Sequence, residues 1–141
     1  MSGFQDVFQR IETKYLLDED QYKMLQERLK NIAKADQYGE TSILNVYFDT
    51  PGYRLINTSL DNPVYKEKLR LRSYGIPTEE TETFIEIKKK YKGIVYKRRI
   101  RMTYAESIDF LYERKPIKEQ SQISREIEYF FRYYEGIRPM M

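Results

Sequence analysis

An α+β fold is predicted by three observations. Stretches at 64–74, 82–90 and 94–104 alternate charged with apolar residues at the two-residue period of a β-strand. From Asp18 to about Lys34, and again from Ala105 to near Gly136, the apolar residues recur instead at the helical period of about 3.6. The length of 141 residues is that of one ordinary domain, and 40% hydrophobic against 33% charged residues is a globular composition. A single domain over 1–141 is expected, with an antiparallel sheet and its N-terminal and C-terminal helices packed outside.

Along the chain, Phe8 to Leu17 alternates as a strand with charge on one face, through Arg10, Glu12 and Lys14, and stops at Asp18. Asp18 followed by Gln21 is a capping-box variant, and Tyr22, Leu25, Leu29 and Ile32 then mark an amphipathic helix ending before Gly39. Ile43 to Asp49 is rich in strand formers and closes on Thr50-Pro51-Gly52. Asp49 therefore reads as a turn acceptor rather than a metal ligand. A loop containing Asn57, Asp61, Asn62 and Pro63 is expected next, then the three strands, the last two joined by a tight hairpin at Tyr91-Lys92-Gly93. Ile108, Leu111 and Tyr112 indicate a short helix stopped by Lys115-Pro116. Ile123, Ile127, Phe130, Phe131 and Tyr134 indicate a longer one, whose aromatic residues serve core packing or a subunit interface rather than base stacking.

Composition removes several chemistries. With no cysteine there is no disulfide framework and no thiolate metal site. With no histidine there is no histidine general base, no serine triad and no ordinary structural zinc site. Oxygen ligands stay open, so a hard cation such as Mg²⁺ or Mn²⁺ is allowed. No apolar run approaches the ~18 residues of a membrane span, and the first residues carry no signal-peptide pattern, so the cytoplasm is the default expectation.

The net charge of +3 hides a strong asymmetry. Lys66 to Arg101 holds 12 Lys and Arg against 5 acids, which leaves the rest of the chain at −4. On extended strands Lys66, Lys68, Arg70 and Arg72 share one face, as do Glu86, Lys88 and Lys90, and then Lys97, Arg99 and Arg101. Facing charges on neighbouring strands, roughly 6 Å apart, repel by about 0.7 kcal/mol in bulk water and about 3 kcal/mol at an effective dielectric near 20. Such a face asks for anions. A solvated sheet face is the ordinary reading of charges alternating with apolar residues. Two features argue against it: the row is nearly all cationic where solvated faces mix signs, and the acids Glu12 and Glu86 occur singly inside it.

Glu12-Thr13-Lys14-Tyr15, Asn45-Val46-Tyr47-Phe48-Asp49-Thr50-Pro51, Lys68-Leu69-Arg70-Leu71-Arg72-Ser73-Tyr74-Gly75, Phe84-Ile85-Glu86-Ile87-Lys88 and Lys97-Arg98-Arg99 occur in that order. In this the chain resembles the vacuolar transporter chaperone (VTC) domain, the polyphosphate polymerase branch of the triphosphate tunnel metalloenzymes, from about Arg10 onward. The resemblance implies a tunnel of antiparallel strands with a basic interior, binding a nucleotide triphosphate or polyphosphate with Mn²⁺ or Mg²⁺. It implies transfer of the ATP γ-phosphoryl to a polyphosphate chain. Carried over motif by motif, Lys14, Lys68, Arg70, Arg72, Lys88, Lys97 and Arg99 are the expected phosphate ligands, and Glu12 and Glu86 the acids that orient them or hold the metal. No catalytic residue is assigned.

Family domains continue past the segment resembling Gly136-Ile137-Arg138-Pro139 into a second half, and only roughly half of a tunnel's strands are expected here. The expectation is a VTC-like polymerase or the substrate-binding half of one, with open edges that two copies of the chain complete as a homodimer. The competing reading is a non-catalytic module for nucleic acid or another polyanion. It is disfavoured because only Tyr74 and Phe84 share the phase of the cationic face, where a stacking platform would want several aromatics.

Overall fold

In a computed structural model of the chain, the three alternating stretches form adjacent strands of one antiparallel sheet. The structure describes residues 13–34, 37, 39–118 and 120–140. Its elements are α1 (Glu19–Leu29), β1 (Ile43–Asp49), α2 (Arg54–Leu60), β2 (Tyr65–Tyr74), β3 (Glu82–Tyr91), β4 (Ile94–Thr103), α3 (Tyr104–Leu111), α4 (Gln122–Tyr133) and β5 (Arg138–Pro139). The chain divides into two units at Gly39 and Glu40.

In the first unit, Asp18 closes a capping box with Gln21: Gln21 N–H donates to Asp18 Oδ1 at 2.8 Å, and Asp18 N–H donates to Gln21 Oε1 at 3.0 Å. Two N-terminal amides are thereby satisfied, and Glu19 and Asp20 suit the positive end of the helix. The helix ends at Leu29, earlier than the expected Lys34, because Ile32 and Ala33 turn back to bond the Leu29 carbonyl. The strand expected from Phe8 to Leu17 is not formed at 13–17, which make no ladder pairing, and its remainder lies outside the described residues.

In the second unit the sheet order is β4-β3-β2-β1-β5, and every pairing is antiparallel. The expected hairpin is a two-residue turn with Lys92 at φ 47° and Gly93 at φ 84°, the left-handed pair that matches the twist of its flanking strands. The sheet does not close into a barrel among the described residues. One face is apolar, where Leu69, Leu71, Ile85 and Ile87 are buried against Phe110, Leu111, Ile127 and Phe130 of α3 and α4. Each such side chain contributes roughly 1.5–3 kcal/mol by leaving water. The C-terminal helices thus cover the apolar side, as expected. The Tyr134 hydroxyl donates to Glu67 at 2.8 Å, and Thr83 and Ser107 share a buried hydroxyl bond of 2.7 Å, so polar groups on this side are paired.

Two elements depart from expectation. The loop after Pro51 contains the helix α2, because the chain before it provides its cap: Asp49 accepts from the amides of Thr50, Leu55 and Ile56, and Thr50 Oγ1 from that of Arg54. Asp49 is thus a buried turn and helix acceptor. Among the described residues the fifth strand is Arg138–Pro139, which pairs with Phe48 and Asp49 at the outer edge of β1.

Candidate functional site: the cationic sheet face

The face opposite α3 and α4 is built by register. Directly opposite residues of antiparallel strands point the same way, so each paired row across the sheet is a row on one face. One row reads Lys68, Lys88, Lys97; the next Tyr47, Arg70, Glu86, Arg99; the next Asn45, Arg72, Phe84, Arg101. Lys66 and Lys90 pair beyond the lysine row. Nine Lys and Arg side chains therefore share this face with the β3 carboxylates Glu82 and Glu86.

Glu86 is the centre. Its side chain is 2% exposed although it lies on the polar face, because cationic side chains cover it. Oε2 accepts from Arg70 Nε at 2.6 Å and lies 2.5 Å from Arg70 Nη2, while Arg72 Nε stands at 4.0 Å. Lys97 Nζ is 2.9 Å from Oε1, so the second carboxylate oxygen is buried against an ammonium. Burial alone would raise this carboxyl, but Lys97 and Arg70 outweigh it and hold the group below the ordinary carboxylate value.

The arginines are held from β1. Arg70 Nη1 donates to the Tyr47 hydroxyl at 3.2 Å, and Arg72 Nε donates to Asn45 Oδ1 at 3.0 Å. Asn45 and Tyr47 were not among the expected site residues. The signal was present in the alternation Asn45, Tyr47, Asp49, which puts the polar members of β1 on one face. Arg99 sits over the Phe84 ring at 4.8 Å, and Phe84 meets Tyr74 edge to face at 5.9 Å.

The structure thus brings together six expected ligands, Lys68, Arg70, Arg72, Lys88, Lys97 and Arg99, and the acid Glu86. Lys14 belongs to the first unit, ahead of α1, and Glu12 lies outside the described residues. Among the described residues Lys68 and Lys88, opposite one another, have no carboxylate within ion-pair distance. Arg70 differs: three of its nitrogens are engaged by Glu86 and Tyr47.

No group of three metal-ligating side chains occurs among the described residues. Glu82 and Glu86, four residues apart on one strand, are about 13 Å apart, too far to share an ion. The carboxylate at the centre of the face, Glu86, is already in contact with Arg70 and Lys97. That fits a hard cation arriving on phosphate, with its ligands from phosphate and water, and not a cage made by the protein.

A cleft of about 310 Å³ lined by Tyr65, Tyr91, Tyr96 and Glu126 opens on the opposite, helix-covered side. There Lys89 and Arg98 already neutralise Glu126, so the excess positive charge lies on the strand face. No helix among the described residues is long and apolar enough to cross a membrane.

A family model for the VTC domain matches residues 9–141. No curated protein and no solved structure matches the chain. The match covers nearly the whole sequence, so the chain belongs to the VTC domain family, which points to a polyphosphate-related function.

Proposed function

We propose that the cationic face binds triphosphate or polyphosphate, and that it is the substrate-binding wall of a VTC-type polyphosphate polymerase using ATP. The observation that carries this reading is the lysine row. Lys68 and Lys88 face one another with no carboxylate partner among the described residues, beside a buried carboxylate that fixes the arginines. Opposed like charges are unfavourable in the free protein and become favourable when an anion lies between them. Closure of the open sheet into a tunnel belongs to the same proposal. So does a homodimer joined at an open edge, for which light scattering at micromolar concentration should give twice the mass of one chain. The four cations Lys97, Arg98, Arg99 and Arg101 disfavour self-pairing of the β4 edge, so the opposite edge, where β5 covers only the Phe48–Asp49 end of β1, is the one two copies would use.

In the transfer reaction the bond from the γ-phosphorus to the βγ-bridging oxygen breaks. A bond from that phosphorus to a terminal polyphosphate oxygen forms, and ADP leaves. The attacking oxygen is already ionised, so no histidine or other general base is needed, consistent with a chain that has none. What the protein supplies is position and positive charge, the main requirements of phosphoryl transfer. Arg72 and the lysines would hold the phosphates in line, while Arg70 keeps Glu86 charged and in place. Mn²⁺ or Mg²⁺, brought in on the phosphates, would supply further neutralisation of their oxygens.

The test is displacement of a fluorescently labelled polyphosphate at near-physiological salt. Tripolyphosphate and ATP with Mn²⁺ should displace it at micromolar concentration, and single-stranded DNA should not. Displacement by DNA alone would favour the polyanion module instead. The site argues against that module, because Tyr47 is bonded to Arg70, and Phe84 lies between Tyr74 and Arg99.

A further inference from the structure

The two arginines of β2 use their nitrogens differently. Arg70 is enclosed by Glu86 and Tyr47, which engage Nε, Nη1 and Nη2. Arg72 has one hydrogen bond, from Nε to Asn45 Oδ1 at 3.0 Å, and among the described residues both terminal nitrogens are without a hydrogen-bond partner. Its side chain is only 18% exposed, so the guanidinium is held against the sheet rather than swinging in solvent. A guanidinium fixed at Nε presents Nη1 and Nη2 as a planar fork, the geometry that meets two oxygens of one phosphate. Asn45 is paired with Arg72 across the β1–β2 ladder, so the backbone register sets their approach. A guanidinium has no acceptor, which fixes the Asn45 amide with its oxygen toward Arg72.

We propose that Asn45 is a positioning residue for phosphate binding, which aims the Arg72 fork and acts only through it. This rests on the function proposed above and adds to it a residue outside the cationic row. Asn45 is suited by the same logic: as a neutral amide it accepts the Nε hydrogen bond without adding a second carboxylate to Glu86, which stands at 4.0 Å and is shared with Arg70 and Lys97. Holding the fork in advance removes rotamer entropy that the ligand would otherwise have to offset.

The experiment is a double-mutant cycle, with tripolyphosphate affinity measured in Mn²⁺ by calorimetry and thermal melting recorded for every variant. Asn45→Ala is expected to weaken binding about tenfold, the effect of losing one charge-assisted hydrogen bond. In an Arg72→Ala or Arg72→Lys background the same change should alter affinity by no more than about twofold, since the group it positions is gone. Asn45→Thr, which keeps strand propensity but is too short to reach Nε, should bind as weakly as Asn45→Ala and guards against a folding artefact. Affinity of Asn45→Ala or Asn45→Thr equal to that of the unaltered chain, or effects of Asn45→Ala and Arg72→Ala that multiply independently, would overturn the proposal. Absence of tripolyphosphate binding by the unaltered chain would instead remove the proposed function on which it rests.

Discussion

Arg70 and Glu86 face each other across the β2–β3 ladder, and a single oxygen, Oε2, lies 2.6 Å from Arg70 Nε and 2.5 Å from Nη2. The acid is buried and the base half-buried. Removing one partner of such a pair costs about 3–5 kcal/mol, because it strands a charge, whereas replacing both by apolar residues of similar volume is close to neutral. Arg70→Ala should therefore lower the unfolding free energy by about 3 kcal/mol, somewhat offset by Lys97, while Arg70→Met with Glu86→Leu should lose clearly less. Urea unfolding at pH 7 checks both. Arg72→Ala, whose hydrogen bond is to a neutral amide and whose contact with Glu86 is long at 4.0 Å, should cost only about 1 kcal/mol.

The lowered Glu86 carboxyl fixes the direction of a pH dependence. Burial opposes the shift, but the contacts with Lys97 and Arg70 exceed it, so the folded value lies below the unfolded one. The folded state therefore binds this proton less readily, and the associated stability is fully present above the ordinary carboxylate range. It is lost as pH falls through the folded value. Urea midpoints measured from pH 7 down to pH 3 should fall in that lower window. Glu86→Gln should be less stable at pH 7 and show a shallower acid decline.

Lys68 and Lys88 make stability and binding move in opposite directions. They are directly opposite with no carboxylate between them, and like charges so placed destabilise a sheet by a few tenths of a kcal/mol, up to about 1. Lys68→Ala or Lys88→Ala should leave the melting temperature unchanged or slightly higher while weakening tripolyphosphate binding about tenfold. Variants that lose stability and affinity together would place these lysines in the framework rather than the site.

Metal dependence should appear only together with phosphate. Glu86 is already paired with Arg70 and Lys97, and no cluster of metal-ligating side chains occurs among the described residues, so Mn²⁺ titrated into the protein alone should give no micromolar binding, and Mn²⁺ with tripolyphosphate should bind as one unit. A tight Mn²⁺ site in the absence of phosphate would contradict this.

The sheet was legible because its alternation is strict: Lys66 to Arg72 against Leu69 and Leu71 allows one face assignment only, and a slip of one residue would bury four cations. The Lys92-Gly93 turn was legible for a similar local reason, since few residues accept its left-handed backbone. Helix α2 was not, because Asn57 and Asp61 are turn formers in isolation, and its cap is provided by Asp49, several residues upstream. The pairing of β5 with β1 joins Arg138 to Asp49 over a separation no periodicity reports. Within the site, the cations could be read from their spacing. Their division into the enclosed Arg70 and the open Arg72 depends on Asn45 and Tyr47, which only the β1–β2 register brings alongside them.

Calorimetric titration of the purified chain with tripolyphosphate, in Mn²⁺ and at near-physiological salt where loose surface attraction is screened, addresses the central claim most directly. Saturable binding at micromolar concentration or tighter is predicted, and a ratio below one ligand per chain would mark a site shared between copies. No binding, or heat that vanishes with modest added salt and shows no defined stoichiometry, would contradict it and leave the cationic rows as a solvated sheet surface.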